Sequence, residues 1–228
     1  MSKNDSQIEE LFNAKAHLGH KSNRIHPKAK KFIYTVENGV SIIDLTQTVV
    51  QLEKAKQVIK ELQANGKVLV FVATKKIAAD FVKNICQENN IFSVTVKWPA
   101  GFLTNFEMIN RNMKKLNQMK KEKEAGDWNK FVKHEQIKLS KELSRLEKFF
   151  GGIAGLTKMP DALFIIDTKK EKNAVKEARQ MHLPVIALSD TNVNPELVDY
   201  PIVGNDDSLS SVEYFVKDII SACKKEEK

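Results

Sequence analysis

The sequence predicts a doubly wound α/β fold. Five parallel strands in a flavodoxin-like order are expected, covered on both faces to give three α/β/α layers. Three observations carry this prediction. Runs such as Lys67–Ala73 (KVLVFVA), Ala162–Asp167 (ALFIID) and Val185–Ser189 (VIALS) are apolar almost throughout, as strands buried on both faces of a parallel sheet are. Between such runs lie stretches with apolar residues at helical spacing, and strand–helix alternation is the mark of parallel pairing with crossovers. Finally, 228 residues with 42% hydrophobic content can bury one large core, or one core carrying an insertion.

Each element can be justified in order. Asp5 or Ser6 caps a short helix over Gln7–Ala16, with Ile8, Leu11 and Phe12 on one face. A basic loop follows. Phe32–Val36 and Val40–Leu45 then read as a β-hairpin around Glu37-Asn38-Gly39, because Asn-Gly between apolar runs favours a tight turn. A helix from Thr46 to about Ala64 ends at Asn65-Gly66. Lys67–Ala73 is the first parallel strand, and Thr74 caps the helix after it. Ile91–Val96, Ala162–Asp167, Val185–Ser189 and Tyr200–Val203 complete the sheet, with helices at Lys170–Met181 and Ser208–Cys223.

One stretch breaks the alternation. Asn105–Phe150 carries two helical patterns, the first with Phe106, Ile109, Met113 and Leu116 at 3-4-3 spacing. The second has heptad rows Val132/Leu139/Leu146 and Gln136/Leu143/Phe150, with Gly126-Asp127 as the turn. This predicts an antiparallel coiled-coil hairpin over residues 105–150, with a polar tip near Lys120–Lys130. Residues 1–104 and 151–228 then form the α/β domain, with the N-terminal helix, basic loop and hairpin in residues 1–45.

The net charge of +8 favours an anionic partner. It is uneven: Met1–Thr35 carries +4, Val36–Asn105 +2, Phe106–Phe150 +5 and Gly151–Lys228 −3. Lys15–Lys31 (KAHLGHKSNRIHPKAKK) holds six Lys/Arg, three of the five histidines and no acid. A phosphate backbone is the commonest partner of such a run, since each neutralised phosphate releases counterions. Its alternative is a solvated basic loop. Gly19 and Pro27 break any continuous helix there, and the strands that follow pin the run to a folded body. Candidate nucleic-acid contacts are Lys15, His17, His20, Lys21, Arg24, Lys28, Lys30 and Lys31 in the run. Beyond it come Lys75 and Lys76, Lys97 and Asn105, and Arg111 and Lys114. The charge of the hairpin is explained about equally by a solvated helical face.

Other motifs carry less. Gly151-Gly152-Ile153-Ala154-Gly155 follows a helix and precedes Pro160 and a strand, so it reads as a hinge and not as a phosphate cradle. The loop ATKKIAAD after the first parallel strand has no glycine, which makes it a poor nucleotide site. His20, Asp190, Asp206 and Asp207 fall at the carboxyl edge of the expected sheet and are candidate ligands for a divalent metal ion. The favoured alternative has these aspartates capping helices and accepting loop amides. No cofactor is required by any motif. No nucleophile–base set has a sequence signature, so the chain does not read as an enzyme. Trp98 is expected to pack at the base of the hairpin; its alternative is a base-stacking platform. Cys86 and Cys223 are in no metal-ligand spacing and read as buried or half-buried thiols of a reducing compartment. The opening MSKNDSQIEE is unlike a signal peptide and no apolar run reaches membrane length, so a soluble cytoplasmic protein is expected.

The residues also resemble a known family, the small ribosomal subunit protein S-two family in its bacterial form. The resemblance rests on His17-Leu18-Gly19-His20, Pro27 followed by Lys28, Lys30 and Tyr34, NGVSIIDLTQT (Asn38–Thr48), and FVATKK (Phe71–Lys76). It continues with Trp98 and GFLTN (Gly101–Asn105), Gly151-Gly152-Ile153, PDALFIID (Pro160–Asp167), LPVIALSDTN (Leu183–Asn192) and GNDDS (Gly204–Ser208). These motifs span nearly the whole chain in order. The sequence departs from the family pattern at Lys15-Ala16, His26, Pro99-Ala100 and Val203. The resemblance implies an α/β/α domain with a helical hairpin, seated on small-subunit rRNA between head and body. It also implies neighbouring ribosomal proteins, among them the large mRNA-binding first protein where one exists. Composition and pattern alone leave a second reading, a flavodoxin-like enzyme or nucleotide-binding module.

Overall fold

The computed structural model describes residues 3–224. The chain enters through helix α1 (Lys3–Asn13) and strands β1 (Leu18–Lys21), β2 (Ile33–Glu37) and β3 (Val40–Ile43), which form an antiparallel sheet ordered β1–β3–β2. Asn38 and Gly39 link β2 to β3 with left-handed φ of 49° and 77°, the turn that strand twist favours. The expected hairpin is present. The basic stretch departs from the expected loop: it folds as β1 and two 3-10 turns, Ser22–Arg24 and Pro27–Phe32. β1 reads Leu-Gly-His-Lys, with no alternation of apolar and polar residues to announce a strand. Gly19 lets it lie close, because a Cβ there would stand 2.5 Å from Ser41 Oγ and 2.9 Å from Thr191. α1 also begins and ends earlier than its expected span, with Asp5 inside the helix.

Next come α2 (Leu45–Ala64), β4 (Leu69–Val72), α3 (Lys76–Glu88) and β5 (Phe92–Val94). They are followed by α4 (Phe106–Glu124), α5 (Lys133–Phe150), β6 (Ala162–Ile166) and α6 (Lys172–Gln180). The chain closes with β7 (Val185–Ser189), β8 (Tyr200–Val203) and α7 (Leu209–Cys223). Asp44 caps α2, accepting the Thr46 N–H at 3.0 Å. α3 starts after Lys75 rather than at a Thr74 cap; the Thr74 hydroxyl donates instead to Glu171.

β4 to β8 form one parallel sheet ordered β5–β4–β6–β7–β8. This is the order of flavodoxin-like folds, with its switch point between β4 and β6. Alternate strand residues feed two cores. Phe71, Phe164 and Ile186 face Leu52, Ile59 and Phe215 from α2 and α7. Val70, Val72, Leu163 and Ile165 face Val175 of α6 and the Trp98–Leu103 loop. Cys86 is buried and Cys223 half-buried, and burial pushes both thiols up to about 12.

α4 and α5 lie between β5 and β6 in the chain and pack on each other. Their shared cluster is Leu116, Met119, Trp128, Leu143 and Leu146. Ile109 and Met113 instead join the core on the sheet face, so the first turns of α4 belong to the body. Trp128 closes the far end, 6% exposed, where the sequence predicts only a polar tip. Val132 lies outside α5 and is exposed, so its heptad row ends at Leu139. The glycine cluster is a reconnection, as expected. A Cβ at Gly152 would stand 2.2 Å from the Ser93 carbonyl oxygen, so the chain passes β5 at a distance only glycine permits. No helix of the described residues is long and apolar enough to cross a membrane.

Candidate nucleic-acid interface

The basic run is seated by backbone bonds to the loops at the carboxyl edge of the sheet. His20 N–H donates to Thr191 Oγ1 at 3.0 Å and His26 N–H to the Thr191 carbonyl at 2.8 Å. Asn205 donates through Nδ2 to the Lys15 carbonyl at 2.9 Å and through its backbone N–H to Ala16 at 3.1 Å. These bonds hold the backbone of the run at His20, His26, Lys15 and Ala16. Lys15, Lys21, Arg24, Lys28, Lys30 and Lys31 are all exposed. Lys21, Arg24 and Lys30 form no ion pair among the described residues. Lys28 and Lys31 both pair with Glu196, the latter at 3.2 Å, and these pairs hold Glu196 below the usual carboxylate range.

The two histidines differ. His17 stacks on Phe12 with ring centroids 4.2 Å apart, and burial lowers its pKa. His20 reaches into the carboxyl edge. Its Nδ1 lies 2.9 Å from Asp190 and its Nε2 3.6 Å from Asp207 and 2.7 Å from the Asn192 amide. The Asp190 hydrogen bond raises its pKa against the opposing effect of burial.

Lys75 occupies the switch point itself. Its Nζ is 2.7 Å from Asp206, 2.6 Å from Asp207 and 3.5 Å from Asp167. Burial, which opposes its charge, is outweighed by these carboxylates, so its pKa is raised. Asp206 is pushed up to about 7 by burial and by Asp167, which outweigh Lys75. The more exposed Asp207 is held low by its hydrogen bond to Lys75. A doubly wound fold collects ligands at this crevice; here the chain's own ammonium fills it. Lys75 is therefore committed to carboxylates, whereas Lys76, Lys97, Asn105, Arg111 and Lys114 are exposed.

The structure gathers His20, Asp190 and Asp207, with one ligand atom of each within 4.8 Å of the others. Asp206 turns to Lys75 instead. Asp190 does accept a loop amide, that of Thr191, as expected. Asp207 makes no such bond: Asn205 Oδ1 accepts the N–H groups of Asp207 and Ser208 at 2.8 and 3.2 Å. Sequence reasoning also missed Glu177, which accepts Trp98 Nε1 at 3.0 Å, Gly101 N at 2.9 Å and Leu103 N at 3.0 Å. Trp98 is a packed residue, as expected, at 6% exposure.

Fold and site together define an α/β binding scaffold, with its free cations outside and its buried charges spent on joining segments. A family model described as ribosomal protein S2 matches residues 11–226, and the chain belongs to that family. The family is a structural, non-enzymatic component of the small ribosomal subunit, acting in translation through rRNA binding.

Proposed function

We propose that the protein is a structural constituent of the small ribosomal subunit that grips rRNA chiefly through residues 15–31. The observation that carries this reading is the acid-free run, held through its backbone by Thr191 and Asn205, with Lys21, Arg24 and Lys30 each exposed and in no ion pair among the described residues. Preorganised cations lose little entropy on meeting phosphate. Lys15, Lys28 and Lys31 extend the surface, with His17 and His20 shaping it from behind. Lys76, Lys97, Asn105, Arg111 and Lys114 form a second contact region at the base of the hairpin. Residues 105–150 act as an inserted antiparallel coiled coil, docking rRNA or neighbouring ribosomal proteins, among them the large mRNA-binding first protein. The α/β body spans residues 1–104 and 151–228, and the complex works in the cytoplasm without a required cofactor.

Pelleting with small subunits over a salt series tests this. Neutralising Lys21, Arg24 and Lys30 together is expected to weaken association. It should also flatten the log–log salt slope by roughly 0.7–0.9 for each phosphate that the variant no longer neutralises. An unchanged slope would make the run a solvated basic surface with no phosphate contact.

A further inference from the structure

We propose that Tyr34 is a stacking platform for a nucleobase of an unpaired rRNA stretch, such as a loop or bulge, whose phosphates run along the cations of residues 15–31. The inference rests on the rRNA-binding reading of that run and adds the form of RNA it takes.

The first support is exposure. Tyr34 is 77% exposed, more than any other large apolar side chain among the described residues. Its ring stacks on no other ring and its hydroxyl makes no hydrogen bond among those residues. Phe12, the next most exposed aromatic at 58%, is already covered on one face by His17. Single exposed rings are ordinary on protein surfaces; this one is placed by a backbone irregularity. β2 pairs Ile33 with Ile43 and then Thr35 with Ile42, so Tyr34 is an extra residue with no partner on β3. A bulge of this kind re-aims a side chain, and β2 is an edge strand of its sheet. The backbone is fixed on both sides of the bulge. The Phe32 carbonyl accepts the Asp44 N–H at 2.9 Å, and the Gly39 carbonyl accepts the Ser22 N–H at 2.8 Å. A ring carried on a positioned strand loses little entropy when a base settles on it.

Charge is the second support. No acidic residue lies between Lys15 and Val36. The 3-10 turn Pro27–Phe32, with Lys28, Lys30 and Lys31, runs directly into β2. The Ser22 bond holds the turn that carries Arg24 against the hairpin tip. An open ring face beside cations matches a splayed nucleotide, with its base on the ring and its phosphates on the cations. A duplex offers no such match, because its bases are already stacked on one another. An acidic protein segment would satisfy the cations but not the ring, whose electron-rich face repels carboxylates.

The test adds full-length variants to small subunits lacking this protein and pellets them over a salt series. Tyr34→Ala is expected to weaken association about 5–150-fold, the range for one base stacked on one ring. Its log–log salt slope should parallel that of wild type, since stacking releases no counterions. Tyr34→Phe and Tyr34→Trp keep a ring and should bind as wild type does. So should Val50→Ala, an exposed apolar truncation on α2. Because Tyr34 is exposed, the alanine variant should fold, and melting verifies this. Acylation of ribose 2′-hydroxyls then reads the RNA in loaded subunits. An unpaired nucleotide that is unreactive with wild type is expected to become reactive with Tyr34→Ala. Unchanged affinity would overturn the proposal, as would a loss that Tyr34→Phe also suffers or one that alters the slope. A loss of affinity with an unchanged acylation pattern would also overturn it, and would give the ring to a neighbouring protein. The rRNA-binding reading would survive each of these results, because it fails only if association of the wild type is insensitive to salt or to loss of Lys21, Arg24 and Lys30.

Discussion

The carboxylate of Glu177, on α6, receives the indole N–H of Trp98 at 3.0 Å, although 79 positions separate them in the chain. The same carboxylate accepts the backbone of Gly101 and Leu103. One side chain therefore shapes the whole turn that leads from β5 into α4. Glu177→Gln turns one acceptor oxygen into a donor facing an N–H. It is expected to cost about 1–3 kcal/mol in urea unfolding, as leaving a buried donor unsatisfied does. Glu177→Asp should not restore the loss, being one methylene short of the loop.

Gly152 tests close approach. Gly152→Ala places a methyl where the Ser93 carbonyl oxygen lies 2.2 Å away and should destabilise by about 1–3 kcal/mol. Gly151→Ala meets only Glu147 Cγ at 3.5 Å and should be close to neutral. Equal melting temperatures for the two variants would contradict this account of the reconnection.

Trp128 divides the tip of the helical pair into two kinds of position. Trp128→Ala empties the closing end of a cluster with Met119 and Leu116 and is expected to cost about 3 kcal/mol. Glu124→Ala, on the same turn, should change stability by no more than about 0.5 kcal/mol. Hydrogen exchange across residues 116–146 should rise in the first variant and not in the second, because loss of a local cluster lowers the local opening energy.

Glu196 competes with phosphate for Lys28 and Lys31 on the rRNA-binding reading. Both lysines already have an internal counterion, so engaging phosphate means giving up Glu196, and fewer phosphates are neutralised. Glu196→Gln is expected to tighten association at low salt. It should also steepen the log–log slope by about 0.7–0.9 for each of the two lysines that engages phosphate. A slope unchanged in pelleting assays would show that neither lysine does.

The five parallel strands were legible because a strand buried on both faces needs apolar residues at every position, and few other elements do. The Asn-Gly turn was legible because few dipeptides accept two left-handed residues. β1 was not, since Leu18–Lys21 is held by pairing with β3 and by the close packing at Gly19 rather than by its own pattern. At the candidate site, the topology brought His20, Asp190 and Asp207 to one edge, which the predicted strand ends allowed. That Lys75 would be enclosed was beyond local reading, because Asp167, Asp206 and Asp207 lie far along the chain and meet it only through the sheet order. The tip of α4 and α5 misled for a similar reason. A single Trp128 among lysines carries no period, yet it fills the end of the cluster.

The seating of the amino-terminal segment has a consequence for the order of events during synthesis. Glu10 accepts the Tyr214 hydroxyl at 3.1 Å, the Ala14 carbonyl accepts Ser210 Oγ at 2.9 Å, and Lys15 is held by Asn205. These partners follow in the chain by 204, 196 and 190 positions, so none exists until that many further residues have been translated. At roughly 5–20 residues per second, the first residues wait about 10–40 s for them. Throughout that interval the six cations of the basic run have no scaffold to aim them. The nascent chain therefore gains its oriented surface only once Asn205, Ser210 and Tyr214 have been made, so a product truncated before them would carry the charges without the shape.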